Sequence, residues 1–301
     1  MIAISNFLSK VKVNINSDKL HLTNGKNILF TDERRYQMSK YTKLMIWVLL
    51  LCMSTAQAQH AYFPSSGIVT YERKFHVQNF LKRNYLNKPD LDTWDKLTVD
   101  NAVKNGPTEV VTHHMLKFYD HETLFETIQE DYPPSYRNVT RYQSILADSK
   151  TYINFQQQEF LKLLPFGDDQ LLLKDSLPAV KWKYTDEYRN IAGYDCRRVN
   201  GIVQDSVYVV AFFAGQIPIS GGPELIHGLP GLIMGVSIPS MNVNMFATKV
   251  EITNAPVSNV LTKKKKVVAE SRAEILKKLK DTVYDYLDEK DFKKRMQSIF
   301  F

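Results

Sequence analysis

Ile217-Pro-Ile-Ser-Gly-Gly-Pro-Glu-Leu-Ile-His-Gly-Leu-Pro-Gly-Leu-Ile233 is the stretch from which the fold of this chain is read. Six of the twelve glycines, from Gly215 to Gly235, fall within 21 residues, and Pro218, Pro223 and Pro230 are interleaved with them. Glycine reaches positive φ and lets backbones approach closely, while proline fixes φ and removes a hydrogen-bond donor. Threaded by Leu225, Ile226, Leu229, Leu232 and Ile233, such a segment is neither a flexible linker nor a helix. It reads as a rigid, partly buried loop that runs into a strand over Leu232–Ile238.

Outward from this loop the chain reads as β. Gly67-Ile-Val-Thr-Tyr-Glu-Arg73 alternates after a Pro-Ser-Ser-Gly turn. Glu109–Phe118 and Thr123–Gln129 form a hairpin across Asp120-His121-Glu122, and further strands are expected over 151–155, 159–164, 179–184, 194–199, 206–213 and 244–252. Short strands between Asp/Asn/Gly/Pro clusters, without alternating helices, predict an antiparallel sheet. Helical insertions are expected over Val77–Asn84 and Leu91–Val103. Near the end, Ser271-Arg-Ala-Glu274 is a capping box, followed by Ile275, Leu276, Leu279, Val283 and Leu287 at helical spacing. The fold class is therefore mainly β, or α+β: a curved antiparallel sheet or open half-barrel with a C-terminal helix. By analogy alone it is lipoprotein-carrier-like.

The N-terminal region carries a targeting signal. Met38-Ser-Lys-Tyr-Thr-Lys43 is a basic start, Leu44–Met53 is a ten-residue apolar core, and Ala56-Gln-Ala58 is a cleavage site. Ten residues are too few for a membrane helix, which needs about 20, so no span is expected in the mature chain. The expected organisation is an upstream extension over 1–37, with translation starting at Met38, a signal peptide over 38–58, an antiparallel β domain over 59–261, and a Lys-rich linker with an amphipathic helix over 262–301. Residues 1–58 hold eight basic and three acidic side chains and so contribute +5 of the net +7. Another +5 sits in the last 40 residues, which leaves the body at −3. That distribution gives no nucleic-acid-binding face. The mature chain keeps one cysteine, Cys196, so no disulfide framework exists, and 243 residues suffice for a core without one.

Candidates for chemistry are sparse. Cys196, His227 and several aspartates supply the residue types of a nucleophilic triad, but no Gly-x-Ser-x-Gly elbow is present. A packed thiol is the simpler reading of Cys196. His113, His114 and His121 cluster with Asp120 and Glu122. On a strand, however, His113 and His114 point to opposite faces, and no spacing matches a structural zinc module. The glycine-rich loop lacks the following lysine and helix of a phosphate cradle. No catalytic residue, metal or cofactor is assigned. A structural corner is the simpler reading of the loop. Its functional alternative places Ile217, Pro218, Gly222, Pro223, Gly228, Leu229, Pro230, Gly231, Leu232 and Ile233 along a ligand site.

Gly228-Leu-Pro-Gly-Leu-Ile233 closely resembles the signature hexapeptide of the GLPGLI family of exported bacterial proteins. Further similarity lies in Gly67-Ile-Val-Thr-Tyr71, Ile191-Ala-Gly-Tyr-Asp-Cys196, Phe212-Phe213 and Ile217-Pro-Ile-Ser-Gly-Gly-Pro223. It is strong over 191–238 and extends over most of 67–255. Two departures are Val199, where the family has alanine, and Phe213-Ala214, where it often has Trp-Tyr. The resemblance implies an exported protein of the periplasm or cell envelope of the Bacteroidetes group, and supplies no catalytic residue. The expected function is a non-enzymatic binding or carrier protein for a lipophilic or elongated ligand. The alternative is an interaction module for envelope protein or glycan-processing machinery, with Tyr132, Tyr136 and Tyr142 as a candidate aromatic patch; a hydrolase ranks last. The partner is thus an unidentified envelope ligand or protein.

Overall fold

A computed structural model describes residues 40–43, 45, 47, 63–87, 92–136, 149–166, 169–203, 206–257, 261 and 267–300. The chain divides into two compact units, Met1–His60 and Ala61–Phe301. In the first, residues 40–43, 45 and 47 are helical, and the rest of the expected targeting segment lies outside the described residues, as do Lys263–Lys266 and Tyr142. Among the described residues, no helix is long and apolar enough to cross a membrane.

The second unit is built on a twelve-stranded open sheet. Its strands are β1 Ser66–Phe75, β2 Val110–Tyr119, β3 Glu122–Thr127, β4 Lys150–Asn154, β5 Glu159–Phe166 and β6 Asp169–Ser176, then β7 Lys181–Ile191, β8 Tyr194–Val203, β9 Val207–Ala214, β10 Leu232–Ile238, β11 Val243–Ile252 and β12 Ala269–Glu270. The spatial order is β12-β6-β5-β4-β3-β2-β1-β11-β10-β9-β8-β7. Two antiparallel meanders, β1–β6 and β7–β11, are thus joined by the pairing of β1 with β11, and only β12 with β6 is parallel. Register shifts interrupt three pairings, at Thr70/Tyr71, Tyr184/Tyr188 and Ile233/Gly235, and such irregularities bend and twist strands locally.

Most expected strands coincide with observed ones, but β6 did not announce itself. Its Leu171-Leu172-Leu173 run is buried on both faces, and a doubly buried strand has no alternation to read. β12 lies within the stretch read as a linker. The Val77–Asn84 insertion is a short helix α1, Val77–Leu81, continued by a π turn over Lys82–Leu86. Helix α2, Thr93–Asn105, starts at an Asp92 cap whose carboxylate accepts from the Trp94 and Asp95 amides at 2.7 and 3.0 Å. The single C-terminal helix expected from periodicity is two: α3, Arg272–Thr282, and α4, Glu289–Phe300. The Ser271–Glu274 capping box is formed as read, and α3 ends with Val283 as its C-cap although the apolar spacing continues to Leu287.

Both faces of the sheet carry core. On the inner face, Val69, Tyr71, Leu116, Phe118 and Phe125 pack with Ile217 and Ile219 of the glycine–proline loop. Helices α3 and α4 bring Ile275, Leu279, Phe292 and Met296 onto Ile153, Phe160, Leu164, Leu171 and Leu173. Helices α1 and α2 cover Phe75, Val110 and Val243. On the other face, Leu124, Tyr152, Leu161, Leu163 and Leu172 pack beneath Val257 and Leu261.

Candidate functional site

The loop between β9 and β10 has no regular secondary structure, and its backbone hydrogen bonds hold it in one shape. Leu232 N–H donates to Ile217 C=O at 2.9 Å, Ile233 N–H to Gly221 C=O at 2.9 Å, and Gly228 N–H to Ser220 C=O at 3.1 Å. The outgoing and returning arms are thereby stapled together. The Tyr71 hydroxyl, at the centre of the sheet, donates to Ile233 C=O at 2.6 Å. Trp182 on β7 donates through Nε1 to His227 C=O at 3.0 Å.

Two glycines show why the motif is so constrained. A Cβ on Gly231 would lie 2.3 Å from the Ala214 carbonyl oxygen, a backbone atom that cannot swing away. Gly228 holds φ at +91°, which side-chain-bearing residues rarely adopt. Of the residues placed along a ligand site by sequence, Ile217, Gly222, Pro223, Leu229, Gly231, Leu232 and Ile233 are buried, whereas Pro218, Gly228 and Pro230 are exposed. Leu229 and Ile233 pack with Val199, Ala211, Phe213 and Val236 as part of the core. The apolar side chains of the motif thus face protein.

The loop also carries a charge inward. Glu224 has φ +55°, uncommon for a residue with a side chain, and sits with its carboxylate buried. Its Oε2 accepts from Lys162 Nζ at 2.8 Å and from Thr151 Oγ1 at 3.1 Å. Lys162 is 1% exposed, in the middle of the Phe160-Leu-Lys-Leu-Leu164 run of β5. Backbone strain of this kind costs about 1–3 kcal/mol and persists where surroundings over-determine it. Here it delivers a carboxylate onto a buried ammonium.

Beside this pair the inner face carries a polar stripe. Arg73 shares the phase of Val69, Tyr71 and Phe75 on β1, and it pairs in register with Thr112 on β2. His114 is two residues further along β2 and is 1% exposed; its ring stacks on Phe125 at 5.2 Å, and its Nε2 lies 3.0 Å from Thr112 Oγ1. Arg73 itself is half-buried, between the fully buried Tyr71 and Phe75 of the same face. Arg73 Nε and His114 Nδ1 are buried without a hydrogen-bond partner. Burial lowers the pKa of the Arg73 guanidinium, with Glu224 acting in the opposite direction. Burial, with Arg73 and His113 adding to it, pushes the His114 imidazole down to about 3, so the ring is neutral across the physiological range.

The other candidates occupy ordinary structural places. His113 points to the opposite face from His114, as alternation requires, and its Nδ1 lies 3.0 Å from Glu130. His121 is in the β2–β3 turn, where its C=O accepts from Phe155 N–H. Cys196 is fully buried within the core, its Sγ 3.4 Å from Tyr194 C=O, and burial pushes the thiol up to about 12. His227 is buried within the loop, its Nδ1 2.8 Å from Leu225 C=O, and burial lowers its pKa. Tyr136 packs with the α1–α2 cluster and stacks with Tyr132 at 6.1 Å. On the outer face, a groove of about 500 Å3 is lined by Ile68, Leu124, Pro256 and Leu261, with Glu126 between Lys117 and Lys150. Its charges satisfy one another at 2.7 and 3.3 Å.

Arg73, Lys162 and Glu224 were not singled out by residue type or motif. Two of them left a signal: Arg73 is a charge in phase with a buried face, and Lys162 one in the middle of an apolar run.

Residues 200–235 match a family described as "Protein of unknown function (Porph_ging)". No curated protein matches the chain. Among solved structures, it is similar to "Structure of PNGF-II in C2 space group", with 14% identity and a TM-score of 0.45 over 69% of this chain and 31% of that one. A second, "Structure of PNGF-II in P21 space group", gives 14% identity and a TM-score of 0.46 over 73% and 33%. The chain thus spans about a third of the length of those structures.

Proposed function

We propose that the protein is an exported cell-envelope protein of the GLPGLI type that binds a small, partly apolar ligand against the inner face of its sheet. The observation that carries this reading is the polar stripe. On a face filled largely by Val, Leu, Ile and aromatic side chains, Arg73 is half-buried, and Arg73 Nε and His114 Nδ1 are buried without a hydrogen-bond partner. Buried polar atoms are nearly always paired, and an unpaired one costs about 1–3 kcal/mol. Such groups in an apolar setting match the usual make-up of a small-molecule site, in which a few convergent polar groups fix orientation.

The targeting pattern over 38–58 supports export, and the Gly228–Ile233 hexapeptide with Ile191–Cys196 supports the family. In this reading the loop is a fixed wall. Its buried members, Leu229, Leu232 and Ile233, shape the site by packing, and Glu224 supplies the inward charge. A second reading, an interaction module, draws on the β7 edge of the sheet, where Tyr184 and Tyr188 are exposed and Arg197 lies over the Tyr184 ring at 5.4 Å.

Native mass spectrometry on the protein purified from the envelope of its own host tests the first reading. It predicts a discrete added mass that organic solvent releases. A bare polypeptide mass would set it aside and turn the search to the β7 edge.

A further inference from the structure

Resting on that binding reading, we propose that Arg73, with His114 beside it, receives a single oxyanion of the ligand, a carboxylate or a phosphate. The ligand class is then an amphiphile with an anionic head and an apolar body.

Charge bookkeeping along the stripe points to this class. Glu224 is the buried carboxylate of the inner face, and it is already engaged at 2.8 Å by Lys162 and at 3.1 Å by Thr151. Glu224 also acts on Arg73 through space, but Arg73 Nε makes no hydrogen bond to it or to any other described residue. A guanidinium stays protonated in proteins, so it cannot escape burial by losing its charge as a lysine can. It requires an anion or ordered water, and its planar fork matches the two oxygens of a carboxylate or phosphate. A charged donor in a low-dielectric setting gains more from such a partner than one at the surface.

His114 completes the receptor as a neutral group. The Thr112 hydroxyl engages Nε2, and the Phe125 stack fixes the ring plane, so Nδ1 is held in one direction. With Thr112 donating to Nε2, Nδ1 carries the proton and becomes a second donor beside Arg73. Apolar and aromatic side chains adjoin the stripe along both strands, Tyr71 and Phe75 flanking Arg73 on β1 and Leu116 following His114 on β2, with Thr127 as the polar cross-strand neighbour of His114. This surround selects against small, fully hydrated anions and favours one attached to a hydrocarbon body.

Titration calorimetry on the exported chain tests the assignment, with decanoate, decanol and decyl phosphate as probes. Decanoate is expected to bind saturably. Arg73→Met keeps the aliphatic stem and should lower decanoate affinity by about 10- to 100-fold, the range for one charge-assisted contact. His114→Phe keeps the ring stack and should lower it less, and decanol should bind no better to the parent than to Arg73→Met. If decyl phosphate binds more tightly than decanoate with the same Arg73 dependence, the oxyanion assignment stands and a phosphate head is the source; if decanoate binds more tightly, the source is a carboxylate.

Decanoate and decanol binding equally, with no effect of Arg73→Met, would overturn the oxyanion while leaving the binding reading in place. No binding of any probe together with a bare native mass would overturn both. Should Arg73→Met fail to fold, Arg73→Lys carries the test: it keeps the charge, loses the fork and should lose about tenfold in affinity. Unchanged affinity there and in His114→Phe would overturn the assignment.

Discussion

Removing the Glu224 carboxylate should be among the most destabilising single changes in this protein. In Glu224→Gln the amide oxygen can still accept from Thr151, but Lys162 is left as a buried ammonium with its counter-charge gone. The pair is 2.8 Å apart, with side chains 1% and 8% exposed, so solvent cannot take over the lost role. Breaking a buried pair by removing one partner costs about 3–5 kcal/mol. For a domain of this size each kcal/mol shifts Tm by about 2–4 °C. A fall of about 6–20 °C is expected, read by calorimetric or fluorescence melting. Lys162→Met should cost a similar amount for the mirror-image reason. The double variant Lys162→Met/Glu224→Gln should recover most of the loss, because desolvating both charges largely offsets their attraction. Singles that each melt within 2 °C of the parent, or a double that is simply additive, would refute a coupled buried pair.

Three further outcomes follow from the geometry. His114 has a folded pKa of about 3 against about 6.5 unfolded, so the unfolded state binds the extra proton between those values. Its contribution is fully present above pH 6.5 and is lost as pH falls towards 3, at up to about 1.4 kcal/mol per unit; His114→Phe should flatten that part of a denaturant-derived stability profile. Gly231→Ala forces a Cβ to within 2.3 Å of the Ala214 carbonyl oxygen and should cost about 1–3 kcal/mol or more, seen as a lowered denaturant midpoint. Cys196, fully buried with its thiol pushed up to about 12, should resist a thiol reagent in the native state and react on unfolding.

Much of the architecture was legible because it rests on local signals. Alternation located β1, the exit of the glycine–proline loop located β10, the Ala192-Gly193 turn with φ of +49° and +87° closes the β7–β8 hairpin, and the capping box marked the start of α3. Strand β6 was not legible, since three leucines buried on two faces carry no period. The split between α3 and α4 escaped because Val283 and Leu287 continue the helical spacing across a break set by tertiary packing. The loop was correctly read as rigid and partly buried, but its glycines and prolines drew attention from Glu224. That residue matters through partners 62 and 73 positions away, and spacing rules do not reach that far. Arg73 and His114 are likewise joined only by the β1–β2 register.

The most direct test is an experimental structure of the protein purified from its own host's envelope. The account predicts density for a bound molecule at the inner face, with an oxyanion about 2.7–3.0 Å from the Arg73 guanidinium and His114 Nδ1. Arg73 turned out to bulk solvent, or paired with an acidic side chain of the protein itself and the inner face solidly packed, would contradict it.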